Sequence, residues 1–354
     1  MSEQLRFVVD PRSGKVREAG TLGEDGGASI DRMRVRCEQD LYLFTKYIIG
    51  RDYLTDNLHW PITRWLQAPT SQRKLLLLPR EHAKTSIVSH GLPIHILIQP
   101  QESNVYVPGL DGADCRILLA CETQPRSADH IRVLETQFET NTLLQALWPH
   151  RCWNNPRRDS KKWNDSEFLI PRMHDYPDPS VRGIGVGGAI TGAHPNILIK
   201  DDLISIEAAN SQVVMQTAIQ WHKVSRALIN APGAREFIIG TRWAVADLYQ
   251  YIIDNDPSVE VVIRSVVEGG LPIYPERFSL EKIAQLHKEF GILFPLLFMN
   301  SAADPDLVDF DINDVRAFDI IQGQLVFKED ERDTSLADRL NVSLPRDESA
   351  IRGI

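Results

Sequence analysis

The sequence is poor in cysteine, with four in 354 residues: Cys37, Cys115, Cys121 and Cys152. None stands in a C-x-x-C spacing, and four are too few to staple a domain of this size. That excludes a disulfide framework and a structural zinc site, and predicts reduced thiols in a cytosolic protein. No apolar run approaches the roughly 20 residues that cross a bilayer. The start, Met1-Ser2-Glu3-Gln4-Leu5-Arg6, lacks the pattern of a signal peptide, so no membrane partner is expected. There is no excess of positive charge: 39 Lys and Arg face 48 Asp and Glu, a formal net charge of −9. This argues against broad, passive coating of nucleic acid and leaves room for a local basic track. There is no internal repeat. With 43% hydrophobic and 25% charged residues, the chain reads as globular, as one large domain or two smaller ones.

What is present is organised around residues 74–86, Lys-Leu-Leu-Leu-Leu-Pro-Arg-Glu-His-Ala-Lys-Thr-Ser. The run of leucines predicts a short buried strand, because a strand covered on both faces needs no polar alternation. Pro79 ends it and a polar loop follows. Lys84-Thr85-Ser86 then opens a run with Ile87, Val88, Leu92 and Ile96 on one side of a helix, which Pro93 is expected to kink or end. Strand, loop, Lys-Thr, helix is the layout of a phosphate-binding loop. In that layout backbone N–H groups and the helix N-terminus face the phosphates, the lysine reaches the β/γ-phosphates and the threonine hydroxyl holds Mg2+. The usual pattern, G-x-x-x-x-G-K-[ST], has glycine where this chain has Leu78 and Ala83. Glycine suits a loop that turns tightly and approaches phosphate closely. On the pattern alone, a buried strand followed by an incidental surface lysine stands beside the phosphate-loop reading.

Residues 1–30 are polar and glycine-rich and are expected to be a mobile lead-in. Helical patterns over 30–49 and 58–66 precede the loop, with Pro61 tolerable in the first turn of the second. Trp60 is read either as an adenine contact or, like Trp65, as a core anchor. After the loop, strands are expected over 116–120, 167–170, 181–185, 197–201, 236–240 and 259–263. Helices are expected over 125–139, 208–228, 247–253 and 280–290. Strands alternating with helices predict an α/β fold with a mainly parallel central sheet flanked by helices. Residues 31–300 would form the domain. Residues 301–354 are acidic and read as a linker or tail without its own core.

Three further stretches bear on chemistry. The apolar run Ile197-Leu198-Ile199-Lys200 ends in Asp201-Asp202. In phosphate-loop enzymes the neighbouring strand ends in an Asp that holds Mg2+, and the next carboxylate orients the attacking water. Asp201 fits the first task and Asp202 the second. The run 236–243 ends in Gly240-Thr241-Arg242-Trp243. A polar residue at the carboxyl end of a central strand lies where an open α/β sheet binds its ligand. Thr241 is a candidate γ-phosphate sensor supported by Arg242, against the alternative of a strand-end turn with a surface arginine. Finally, 149–166 is the most basic window, with Arg157, Arg158, Lys161 and Lys162 interleaved with Trp153 and Trp163. Such a loop can contact a nucleic-acid backbone, and a solvated charged loop has the same composition.

Taken together, these stretches resemble the ATPase domain of the tailed-bacteriophage terminase large subunit, the motor that packages DNA. Pro79 to Thr85 resembles that family's variant phosphate loop, in which an Arg near the start and Gly or Ala before the Lys are usual. Residues 197–202 look like its acidic strand, in a subgroup that carries Asp-Asp. Gly240-Thr241-Arg242-Trp243 with Asp247-Leu248 is similar to its ATPase-coupling motif, and 294–305 to the stretch that leaves the ATPase core. The resemblance covers about 40–310. It implies a P-loop NTPase fold of the RecA/ASCE type using ATP and Mg2+. Arg80, Glu81, His82, Ala83, Lys84, Thr85, Ser86 and Trp60 would line the nucleotide. Lys84 would bind β/γ-phosphates, Thr85 and Asp201 would hold Mg2+, and Asp202 would act on the water. Arg80 would bind the γ-phosphate as a finger in cis, unless a neighbouring subunit supplies one in trans. Gly240, Thr241 and Arg242 would couple hydrolysis to movement. The implied partners are double-stranded DNA, a portal protein, a terminase small subunit and further copies in a ring, within the cytoplasm of an infected host.

Two departures qualify the resemblance. Asp202 is one methylene shorter than the Glu of many relatives, and Glu207 is the nearest spare carboxylate in sequence. The family also carries a nuclease domain with several metal-binding acids, and about fifty residues after Asn300 are too few for one, so no DNA cleavage is expected of this chain. Two other readings stand beside the motor. One is a helicase-like remodeller of nucleic acid. The other is a non-catalytic scaffold in which Ala83 and Asp202 mark a decayed site.

Overall fold

The leucine run carries no polar residue because successive side chains leave a strand on opposite faces, and here both faces are covered. In the computed structural model Leu76 and Leu78 join one hydrophobic cluster, and Leu75 and Leu77 join another. The structure describes residues 7–9, 16–18, 26–188, 190, 192–229, 231–301, 318–321 and 324–327. The chain divides into a unit over Met1–Ala302 and a second over Ala303–Ile354.

The first unit is built on one eight-stranded sheet. Its strands, in chain order, are β1 (Arg73–Leu77), β2 (Ile117–Cys121), β3 (Trp163–Asn164), β4 (Glu167–Phe168), β5 (Val181–Gly185), β6 (Ile197–Asp201), β7 (Arg235–Gly240) and β8 (Glu260–Ile263). The spatial order is β8-β1-β7-β6-β2-β5-β4-β3. Six of these strands run parallel, and the short β3–β4 hairpin closes one edge antiparallel. Strand β7 therefore lies between the strand that leads into Lys84 and the strand that ends at Asp201.

The main helices are α1 (Gly26–Gln39), α2 (His59–Gln67), α3 (Leu92–Leu97), α4 (Gln124–Thr140), α5 (Gln212–Ser225), α6 (Leu248–Asn255) and α7 (Leu280–Phe290). Residues of α2, α3, α4 and α7 pack into the cluster on one face of the sheet, and those of α5 and α6 into the cluster on the other. The expectation of a mainly parallel sheet flanked by helices is met.

Several elements depart from the sequence reading. Pro93 does not end the helix after Lys84. A wide π-type turn over Ser86–Gly91 leads directly into α3, and Pro93 falls in that helix's first turn, where its missing N–H costs nothing. The single helix expected over 208–228 is split, because the Ser211 hydroxyl accepts from Val214 N (3.4 Å) and starts α5 afresh. Short antiparallel strands occupy Phe7–Val9 and Val16–Glu18 inside the expected lead-in. In the second unit, Phe318–Ile321 pairs antiparallel with Gln324–Phe327, so the expected irregular tail is corrected there. Two residues separate these apolar runs, which is hairpin spacing. The rest of 302–354 lies outside the described residues.

A buried ionic network pins the inner strands from below. Lys200 Nζ lies 2.5 Å from Glu236 Oε1 and 3.0 Å from His222 Nδ1, and Arg73 bridges Glu236 (2.6 Å) and Asp256 (2.5 Å). These contacts tie β6, β7 and β1 to α5 and the end of α6. A one-residue slip would strand charges that are paired only in this register.

Candidate nucleotide site

The loop after β1 turns without glycine. Glu81 and Ala83 both take left-handed backbone angles, φ 63° and 62°. Only glycine does so freely, and other residues are held there by their surroundings. The holding groups come from the far end of the domain. Arg80 N–H donates to the Leu297 carbonyl (2.9 Å), and Arg277 reaches the Glu81 carboxylate (3.3 Å). The His82 ring stacks on Phe278 at 4.5 Å, edge-on to Tyr274 at 5.6 Å. The His82 side chain is thus buried in an aromatic core. Burial drives its pKa down to about 4, so the ring is neutral.

Lys84 is brought to the carboxyl ends of two neighbouring strands. Its Nζ donates to Thr241 Oγ1 (2.5 Å), just past β7, and lies 3.7 Å from Asp202 Oδ1, just past β6. Thr85 Oγ1 donates to Asp201 Oδ1 (3.4 Å). The other oxygen of Asp201 accepts from Ser89 Oγ (2.6 Å) and lies 3.4 Å from His130 Nε2. Asp201 is almost fully buried. That burial, and then the charge of Asp202, push its carboxyl up to about 7. A bound cation would reverse that shift. Asp202 follows with φ 44°, a left-handed angle that Asp tolerates better than most residues. Its Oδ1 is buried without a hydrogen-bond partner, so it has acceptor capacity to offer a water or a cation's hydration shell. Among the described residues no group of three or more His, Cys, Asp or Glu gathers to hold a metal. One hydroxyl and one carboxylate side by side suit Mg2+, which keeps several waters and takes substrate phosphates as ligands. The residues present fit that ion.

Thr241 reaches Lys84; Arg242 does not. The Arg242 guanidinium is consumed within its own turn, donating to Asp247 Oδ2 (2.9 Å) and to the carbonyls of Ala244 (3.3 Å) and Val245 (2.9 Å). Gly240 has a packing reason to be glycine, since a Cβ there would lie 1.9 Å from the ring of Tyr249. Arg80 is exposed, with its guanidinium 5.8 Å from the centroid of Trp243. Ser86 accepts from the Tyr53 hydroxyl (2.8 Å). Trp60 is 46% exposed, so it is no core anchor, whereas Trp65 packs against the core and over Lys74. Glu207 is exposed in the first turn of a short helix. The carboxylate residue beside Asp202 is instead Glu122, whose N–H donates to the Asp202 carbonyl (3.2 Å) and whose side chain accepts from Ser205.

The basic window is largely neutralised. Arg157 pairs with Glu139 (3.2 Å), Arg158 with Asp159 (2.8 Å), Lys161 with Asp175 (3.6 Å) and Lys162 with Glu167 (3.0 Å). Both indole N–H groups are also engaged, Trp163 by Glu139 and Trp153 by the Leu169 carbonyl. Sequence reasoning missed Ser89 and His130. Ser89 stands four residues after Thr85 and is legible as the same helix face. His130 arrives from α4, and no local signal announces it.

One strand between the phosphate-loop strand and the acid-bearing strand, with Lys84, Thr85, Asp201, Asp202 and Thr241 at their carboxyl ends, defines a P-loop NTPase fold of the ASCE type. No family model matches the sequence, and no curated protein matches it. Solved structures do. The chain is similar to the large terminase ATPase domain of Thermus phage P74-26, at 14% identity and a TM-score of 0.40 over 66% of this chain and 90% of that one. For a mutant of that domain the identity is 14% and the TM-score 0.43, over 70% and 93%. It is similar also to the large terminase of bacteriophage HK97, at 14% identity and a TM-score of 0.44, over 75% of this chain and 55% of that one. The chain thus matches little more than half the length of the HK97 protein. Among the described residues no helix is long and apolar enough to cross a membrane.

Proposed function

We propose that the chain is a Mg2+-dependent ATPase that drives double-stranded DNA in the manner of a terminase large subunit. The observation that carries the ATPase reading is the meeting of Lys84 with Thr241 and Asp202, beside the Thr85–Asp201 pair. In this reading the loop's N–H groups and Lys84 bind the β/γ-phosphates, and Thr85 and Asp201 hold the Mg2+. A Mg2+ held by Thr85 and Asp201 would supply positive charge to offset the negative charge that develops on the phosphate. Asp202 has a buried oxygen that makes no hydrogen bond and lies 3.7 Å from Lys84 Nζ, with capacity to accept a proton from, or aim, the attacking water. Arg80, exposed and parked over Trp243, is free to swing onto the γ-phosphate of its own or a neighbouring subunit. Thr241, bonded to Lys84 and sitting at the end of β7, would report the γ-phosphate to the turn that Arg242 braces. DNA, a portal protein, a small subunit and other copies of this chain in a ring are the partners proposed. The four paired cations Arg157, Arg158, Lys161 and Lys162 are the proposed DNA contacts.

The test is Mg2+-dependent ATP hydrolysis at high protein concentration, with and without linear double-stranded DNA, for wild type and Asp202→Asn. Turnover stimulated by DNA and lost in the variant supports the motor. Turnover surviving in Asp202→Asn removes Asp202 from the water, and absence of both turnover and nucleotide binding sinks the reading.

A further inference from the structure

Asp201 divides its oxygens: Oδ1 faces Thr85, and Oδ2 faces Ser89 and His130. His130 is itself held, its Nδ1 lying 3.0 Å from His90 Nε2 with the ring centroids 5.2 Å apart. The proton positions follow from the partners. With Asp201 ionised, as a bound cation would keep it, a bare Nε2 lone pair on His130 would face a carboxylate oxygen, so that nitrogen carries the proton. His130 Nδ1 is then free to accept from His90 Nε2–H. His90 Nδ1 is left as a bare acceptor without a partner, as observed, and an unpaired acceptor is the lesser loss. Protonating His130 does not alter which atom faces Asp201. The relay runs from His90, in the turn Ser86–Gly91, through His130 of α4 to Asp201 at the end of β6.

We propose that His130, seated on His90, is a positioning residue for Asp201. Its Nε2, 3.4 Å from Oδ2, would supply electrostatic support behind that oxygen, beside the Ser89 hydrogen bond, so that Oδ1 stays aimed, with Thr85, at the cation. The inference rests on the nucleotide reading above. Hydrogen-bonded partners behind a metal-binding side chain typically change metal affinity about 10–100-fold when removed.

The experiment measures binding of a non-hydrolysable ATP analogue by calorimetry, in EDTA and across a Mg2+ titration, for wild type, His130→Ala and His130→Gln, with thermal unfolding of each apo protein. His130→Ala is expected to raise the Mg2+ half-saturation about tenfold while leaving affinity in EDTA unchanged. His130→Gln, which keeps an N–H at similar reach, should recover most of that loss. Where alanine leaves the fold unstable, His130→Leu takes its place. Unchanged Mg2+ half-saturation in the alanine or leucine variant, with wild type showing Mg2+-linked binding, overturns the inference alone. Equal weakening with and without Mg2+ also overturns it, since that is a structural effect. Wild type binding nucleotide without any Mg2+ linkage overturns the nucleotide reading itself.

Discussion

Arg242 sits in a stretch that sequence reasoning ties to motor coupling, yet its contacts are those of a brace, and the two roles predict different outcomes for Arg242→Ala. The side chain is 3% exposed and its partner Asp247 is fully buried. Asp247 Oδ2 accepts from Arg242 Nε (2.9 Å) and Trp243 N (3.2 Å), and Oδ1 caps α6 by accepting from Gln250 N (2.9 Å). Removing one partner of a buried pair costs about 3–5 kcal/mol. The two backbone donors that remain on Asp247 place the expected loss near the lower bound, about 3 kcal/mol. Asp247→Ala loses the same pair and also the helix cap, worth about 1 kcal/mol. The double variant should be less destabilised than the sum of the singles by about 1–3 kcal/mol, because the pair can be lost only once. Lysine should not rescue, since it lacks the planar fork that reaches both carbonyls. The assay is urea unfolding of the nucleotide-free protein across this cycle. Arg242→Ala stability within about 0.5 kcal/mol of wild type, typical of a surface change, would refute the brace. If DNA-stimulated turnover were lost at the same time, a sensing role would replace it.

Gly240→Ala should destabilise the fold by about 1–3 kcal/mol or more through collision with Tyr249, and Tyr249→Leu should relieve part of it; thermal unfolding of both and of the pair checks this. Lys84→Ala should lower ATP turnover by at least about 10²–10³-fold in a steady-state assay while leaving the fold intact. Stability should fall as pH drops below 6.5. His59, His82, His95 and His222 are buried, and burial lowers each from the ordinary 6.5 to about 4, 4, 4 and 3. Between those values the unfolded chain holds a proton that the fold does not. Stability therefore rises with pH through the window and is fully present above it. Each histidine contributes a slope of about 1.4 kcal/mol per pH unit. His82→Phe should flatten the urea-unfolding profile between pH 4.5 and 6 by about one such slope, and an unchanged slope would place its protonation elsewhere.

The backbone of the site was legible in the sequence because two-sided burial and strand-end polarity are local signals. The leucine run, the acids after Ile199 and Gly240-Thr241 each announced a strand and its carboxyl end. What escaped depends on partners distant in sequence. His82 reads as a polar loop residue, and only Phe278 and Tyr274 reveal that it faces inward. Arg242 reads as a free cation until Asp247 and two carbonyls surround it. The cations of 157–162 read as a basic patch because three of their four carboxylate partners, Glu139, Asp175 and Glu167, lie outside the window. Pro93 misled for a different reason: a π-type turn shifts the hydrogen-bond frame, so the proline meets no unsatisfied demand.

The phosphate loop's left-handed residues have a consequence for how the protein is made. A glycine-built loop is ready once its strand and helix meet. Here Glu81 and Ala83 are held in place by Leu297, Phe278 and Arg277, the last of these 196 residues downstream of Glu81. Contacts of that separation close late, because the entropy of joining distant segments must be overcome before they reward it. A nascent chain halted before residue 277 would carry every phosphate-loop residue without the groups that hold the loop's shape. The loop's shape is then fixed only once residues 277–297 have been made and have folded back onto it.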